Sequence, residues 1–112
     1  MPDEKDLLET HRNHLISRKM VHKFVESHPG TERDLESLLD WCRTVEKSDW
    51  RTFADVRATY SHADQVGEMV YFNVCGNKYR FLTWVNYRPN TAAKVLLRAV
   101  LTHKEYDKLS LK

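Results

Sequence analysis

Residues 68–87 read EMVYFNVCGNKYRFLTWVNY, and no other stretch of the chain limits its fold as tightly. Two runs rich in Val, Phe, Tyr and Trp flank Gly76-Asn77, a dipeptide suited to a two-residue hairpin loop. With that loop, Val74 faces Tyr79, Asn73 faces Arg80 and Phe72 faces Phe81. Side chains alternate across a sheet, so one face carries Val70, Phe72, Val74, Tyr79, Phe81, Val85 and Tyr87. The other carries Tyr71, Asn73, Arg80, Leu82 and Trp84. A third strand, AAKVLLRAVL, follows the turn residues RPNT. Its odd positions (Ala93, Val95, Leu97, Ala99, Leu101) are all apolar, whereas Lys94 and Arg98 fall on even ones. A slip of one residue would bury both charges, so the odd positions are expected inward. A loop over 88–92 achieves this and sets Arg98 opposite Leu82, diagonal to Arg80.

An apolar sheet face needs a cover, and the N-terminal half supplies one. RKMVHKFVESH sets Met20, Val21, Phe24 and Val25 on one helical stripe, with Ser17 as its cap and Pro29-Gly30 as its stop. Thr31 with Asp34 resembles a capping box in which Asp replaces Glu. Leu35, Leu38, Leu39, Cys42 and Val45 then repeat with the helical period to about residue 47. HLIS, ahead of the first helix, suits a short edge strand. In SDWRTFADVRATYSHADQVGE, Trp50, Phe53 and Val56 suit a helical turn on the core, and VRAT a short strand. The expected fold class is α+β, with two N-terminal helices packed on one face of a small, mostly antiparallel sheet. Residues 1–13 are expected to be an acidic extension and 14–112 a single domain, long enough for a small core.

Composition and charge narrow the chemistry. Cys42 and Cys75 are too few for a disulfide framework, and the six histidines show no ligand spacing, so neither a metal nor another cofactor is expected. No apolar run approaches the roughly 18 residues of a membrane span. Together with the acidic start MPDEKDLLE, this points to the cytoplasm rather than to secretion or a membrane. The net charge of +2 conceals a divide. Residues 1–68 hold 10 Lys/Arg against 14 Asp/Glu, net −4, while 69–112 hold 8 against 2, net +6. A basic C-terminal half suits an anionic partner such as nucleic acid, although a solvated basic surface has the same composition.

The basic half ends in LTHKEYDKL. Thr102 and Glu105 fit the capping box T-x-x-E, so a short C-terminal helix should begin at His103, with Tyr106 one turn along the same face. Such an N-terminus attracts phosphate. The outer sheet face gathers Arg80, Arg98 and Lys94 among Tyr71 and Trp84, and arginines grip phosphate while aromatics stack on bases. Cleaving RNA through its own 2′-hydroxyl requires a base, cations for the developing charge and an acid for the leaving 5′-oxygen. His103 suits proton transfer near neutral pH. Arg80, Arg98 and Lys104 suit the charge, and Tyr106 suits proton donation or stacking. A helix-end histidine with a structural hydrogen bond carries the same signature.

Taken together, HLISRKMVHKF, FADVRATYSHADQVG, YFNVCGNKYRF and LTHKEYD resemble the HigB-type toxins of bacterial toxin–antitoxin systems, within the RelE superfamily of mRNA interferases. The resemblance runs from about His14 to Asp107. It implies a RelE-like fold and a ribosome-dependent endoribonuclease that cuts messenger RNA at the decoding site without metal. It also implies a cognate HigA-type helix-turn-helix antitoxin, whose complex with the toxin represses their operon. Carried over by position, it points to Arg80 with Lys78 beside it, to His103 and Tyr106, and to Arg98 and Arg57. The expected catalytic group is therefore Arg80, His103 and Tyr106. The expected RNA-binding residues are Arg57, Lys78, Lys94, Arg98 and Lys104. Cys75 departs from such toxins by standing where a glycine is common, and LLRAV is more aliphatic than their aromatic-rich strand. The rival expectation is a non-catalytic RNA- or ribosome-binding module of the same shape.

Overall fold

Alternation of apolar residues and one tight turn produce the expected hairpin, and the rest of the sheet is added to it. In the computed structural model, which describes residues 12–110, the elements run in this order. They are β1 (His14–Ile16), α1 (Lys19–Ser27), a 3-10 turn (Glu32–Asp34), α2 (Leu35–Lys47), α3 (Phe53–Thr59), β2 (Asp64–Val66), β3 (Met69–Val74), β4 (Tyr79–Asn86), β5 (Lys94–Thr102) and α4 (His103–Ser110). The five strands stand in the order β1-β5-β4-β3-β2, with β1 parallel to β5 and every other pair antiparallel. The fold is α+β, as expected. Most of the acidic extension lies outside the described residues, apart from Arg12 and Asn13.

β3 and β4 pair Val74 with Tyr79, Asn73 with Arg80 and Phe72 with Phe81, the register read from Gly76-Asn77. The turn closes with the Lys78 N–H donating to the Cys75 carbonyl at 3.2 Å. Cys75 has φ +56° and Gly76 φ +66°. The left-handed region costs a residue with a Cβ about 1–2 kcal/mol, which is the physical reason a glycine suits position 75. Cys75→Gly is expected to raise stability by about 0.5 kcal/mol, because relief of that strain exceeds the entropy the unfolded chain gains. A urea midpoint that moved down would refute this.

The inner face of the sheet carries the core. Val70, Phe72, Val74, Tyr79, Phe81, Val85, Val95 and Leu97 are buried beneath Val21, Phe24 and Val25 of α1 and Leu38, Leu39, Trp41, Cys42 and Val45 of α2. Each fully buried side chain of this size contributes about 1.5–3 kcal/mol. Asn13 is buried as well. Its Nδ2 donates to the Val45 carbonyl at 3.0 Å and its Oδ1 accepts from the Trp50 N–H at 2.9 Å, which ties the start of β1 to the end of α2.

Four local expectations are corrected. VRAT is not a strand but the second half of α3, which starts from a capping box between Thr52 and Asp55. Ser17 does not cap α1 through its side chain and instead turns the chain at φ +75°. Thr31 and Asp34 form no capping box. The Asp34 carboxylate is taken by the Tyr79 hydroxyl at 2.7 Å and by Lys78 Nζ at 3.3 Å. Finally, β5 keeps its odd residues inward only as far as Leu97. A bulge then sets Leu82 opposite Ala99 rather than Arg98, so Val100 faces the core and Ala99 and Leu101 do not.

Candidate active site

The outer face of the sheet, which the helical pair leaves uncovered, meets α4 at the end where β4 begins and β5 stops. Thr102 starts that helix with the expected capping box. Its N–H donates to Glu105 Oε1 at 2.9 Å, and its Oγ1 accepts from the Glu105 N–H at 3.1 Å. The His103 N–H donates to the Lys78 carbonyl in the hairpin turn at 2.9 Å. Three amides at this helix start are thus satisfied within the protein. The phosphate attraction expected of the helix end is correspondingly weak, and the positive charge has to come from side chains.

Arg80 supplies it. Although it points to the outer face, Arg80 is only 9% exposed. Its Nη1 donates to the carbonyls of Asn77 and Tyr79, each at 3.2 Å, and its Nη2 meets His103 Nδ1 at 3.0 Å. The guanidinium carbon lies 5.4 Å from the centre of the Tyr106 ring, at cation–π distance. Tyr106 in turn meets Tyr71 edge-on, with centroids 5.6 Å apart. Among the described residues, no carboxylate pairs with this buried cation. Buried charges are normally paired, so a guanidinium surrounded by carbonyls, an imidazole and a phenol ring retains its attraction for an anion.

The hydrogen-bond partners also set the histidine tautomer. A guanidinium only donates, so Nδ1 of His103 accepts and the proton sits on Nε2, which lies 3.1 Å from Asp107 Oδ2. In this contact the Nδ1 lone pair of His103 is directed at Arg80. Burial, with Tyr71 adding to it, raises the pKa of Tyr106, while Arg80 pulls the other way. Tyr106 therefore stays a protonated phenol at neutral pH and is a donor, not a base.

Arg80, His103 and Tyr106 thus come together; the expected RNA-binding set is more dispersed. Lys104 is exposed on the first turn of α4, next to His103. Arg98 is exposed at the bulge, about 10 Å along β5 from Leu101, the residue paired with Arg80. Lys78 leans away from the outer face onto Asp34. Arg57 spends its guanidinium on the Ser61 carbonyl, at 2.9 and 3.2 Å, where it closes the end of α3. Lys94 sits about 26 Å from Thr102 at the opposite end of β5. Asp107 was missed among the site residues, although its i,i+4 spacing from His103 is a legible signal. Among the described residues, no group of three or more His, Cys, Asp or Glu side chains is arranged to hold a metal ion, and no helix is long and apolar enough to cross a membrane.

Two helices on one sheet face and a cation–imidazole–phenol cluster on the other define a small α+β domain with an anion-directed edge. Residues 35–109 match the family HigB_toxin, described as the RelE-like toxic component of a toxin-antitoxin system. Over 97 residues, the chain is 29% identical to the mRNA interferase toxin HigB of Escherichia coli K12, covering 84% of this chain and 88% of that protein. Proteins named mRNA interferase HigB from E. coli O157:H7 and Shigella flexneri match to the same extent. The chain belongs to the HigB family of RelE-like toxins.

Proposed function

We propose that this toxin is an mRNA interferase, acting in the cytoplasm on ribosome-bound message by attack of a 2′-hydroxyl on the adjacent phosphate, with no metal. The observation that carries this reading is the buried Arg80 guanidinium, without a carboxylate partner among the described residues, in contact with the Nδ1 of His103 and the Tyr106 ring. The names of the relatives support the same substrate. An arriving phosphate is a better partner for Arg80 than an imidazole nitrogen, because the guanidinium fork matches two oxygens. As Arg80 turns to the phosphate, Nδ1 of His103 is released and takes the 2′-hydroxyl proton. The oxygen bonds to phosphorus, the bond from phosphorus to the 5′-oxygen breaks, and Tyr106 donates the proton that the leaving oxygen needs. Asp107 stabilises the imidazolium formed at His103. Arg98 and Lys104 hold flanking phosphates, and the half-exposed Trp84 offers a stacking surface. A HigA-type antitoxin completes the system, and operator DNA is contacted through that complex.

The test is product chemistry. Purified toxin is incubated with a defined message, alone and in a translating extract, and the new ends are identified. The expected result is cuts within codons only during translation, leaving a 2′,3′-cyclic phosphate and a 5′-hydroxyl. Products with 5′-phosphates would refute 2′-hydroxyl attack. Salt-sensitive binding without any new ends would mean a non-catalytic RNA-binding module.

A further inference from the structure

We propose that His28, directly after the last residue of α1, is a positioning residue that grips Glu105 and thereby holds the first turn of α4, keeping His103 against Arg80. The proposal rests on the reading of Arg80 and His103 as the site, and it is carried by contacts that the proposed chemistry does not use. Glu105 divides its carboxylate, with Oε1 accepting the Thr102 N–H at 2.9 Å and Oε2 lying 3.2 Å from His28 Nε2. The other ring nitrogen, Nδ1, lies 2.8 Å from the Phe24 carbonyl, with Ser27 Oγ also near it at 2.9 Å. The ring stacks on Phe24 with centroids 3.9 Å apart. Phe24 meets Tyr79 edge-on at 5.6 Å, and Tyr79 pairs with Thr102 across β4 and β5.

A carbonyl and a carboxylate only accept hydrogen bonds, so both contacts form together only when both ring nitrogens carry protons. A neutral ring could still donate Nε2–H to Glu105 with Ser27 Oγ donating to Nδ1, but it would lose the Phe24 contact and the charge, so the grip is strongest in the imidazolium and weakens as that form is lost. The titratable groups facing it are Glu105 from α4, Lys23 from α1 and, across the Phe24 ring, the Tyr79 hydroxyl of β4. The facing residue of β5 is the apolar Val100. Burial lowers the pKa of His28. The Glu105 hydrogen bond, the Phe24 carbonyl and the Glu105 charge outweigh it and leave the pKa raised. The Thr102 N–H holds Glu105 below the usual carboxylate value, against burial and with help from His28. A raised histidine pKa means that its contribution is complete below the ordinary imidazole value and is lost as pH rises through the folded-state value. The lowered Glu105 pKa sets the acid limit, so the grip holds between the two.

Amide exchange read by NMR tests this. At pH 6, His28→Ala should make the amides of Tyr106, Asp107 and Lys108 exchange about tenfold faster, with Phe81 and Thr83 unchanged. In the wild type, protection of α4 beyond intrinsic exchange should fall as pH rises through the His28 titration. His28→Gln, which donates to Glu105 without titrating, should restore protection and remove the pH dependence. In RNA cleavage, His28→Ala should lower kcat several-fold, with KM changed by less than about twofold. Unchanged α4 protection in His28→Ala would overturn the proposal, and so would a loosened α4 with unchanged kcat. A wild type that cuts no RNA would instead overturn the proposed function, and α4 exchange would still decide the grip.

Discussion

Arg80→Ala is expected to lower the rate of RNA cleavage by about 10²–10³, the effect of removing one preorganised charge donor from a transition state. Growth of cells expressing the variant should recover accordingly. The guanidinium is already desolvated and anchored through Nη1 by the carbonyls of Asn77 and Tyr79, so only its Nη2 contact has to pass from His103 to the phosphate. Arg80→Lys should fall between wild type and Arg80→Ala, because an ammonium keeps the charge but lacks the fork that meets two carbonyls and an imidazole at once. The substitution also leaves the Asn77 and Tyr79 carbonyls short of a donor, a cost of about 1–3 kcal/mol each at most. Circular dichroism must therefore accompany the rate. A folded Arg80→Ala that cuts message at the wild-type rate would remove Arg80 from the catalytic group.

Phe72→Ala should cost about 3–5 kcal/mol, a large share of the 5–15 kcal/mol that holds a typical domain folded. Phe72 is fully buried at the middle of β3, beneath the helices. Its ring meets Trp41 at 5.2 Å and Tyr60 at 5.4 Å edge-on, and Trp50 stacked at 5.9 Å. Truncation leaves a cavity bounded by three aromatic rings that cannot collapse into it, and it removes pair terms of about 0.5–1.5 kcal/mol each. A melting temperature lower by about 20 °C is expected, on the order of 4–8 °C per kcal/mol for a domain of this size. Phe72→Leu, which fills most of the space, should lose far less. A variant Phe72→Ala melting within a few degrees of the wild type would contradict this account of the core.

Both predictions draw on features that were legible to different degrees. The inward residues of β3 and β4 were readable because a strand has a strict period of two and the loop sets its phase. The end of β5 was not. Ala99, Val100 and Leu101 are all apolar, so no charge penalises either phase, and the bulge beside Arg98 selects one. The Thr31–Asp34 box failed for a different reason. Asp34 is within reach of Tyr79 and Lys78 only after the hairpin has docked, and that competition is invisible locally. The box at Thr52 was present in the sequence and was missed because VRAT, rich in β-branched residues, was read as a strand instead of the end of a helix.

The dividing line is distance along the chain. Residues within about one turn of each other determine a two-residue hairpin, a helical stripe and the Thr102–Glu105 box, because their geometry follows from backbone periodicity. These were sufficient to put His103 and Tyr106 on one side of a helix start. Tertiary structure alone decided that Arg80 is buried without a carboxylate among the described residues, that its partner is an imidazole 23 residues away, and that His28 reaches Glu105 across 77 residues. It also withdrew Lys78 from the cluster by giving it the Asp34 carboxylate, 44 residues away, as a nearer acceptor. Sequence pattern specifies which face a side chain takes. Desolvation and the choice among competing partners arise only when separate elements pack together, and those two determine the chemistry of this site.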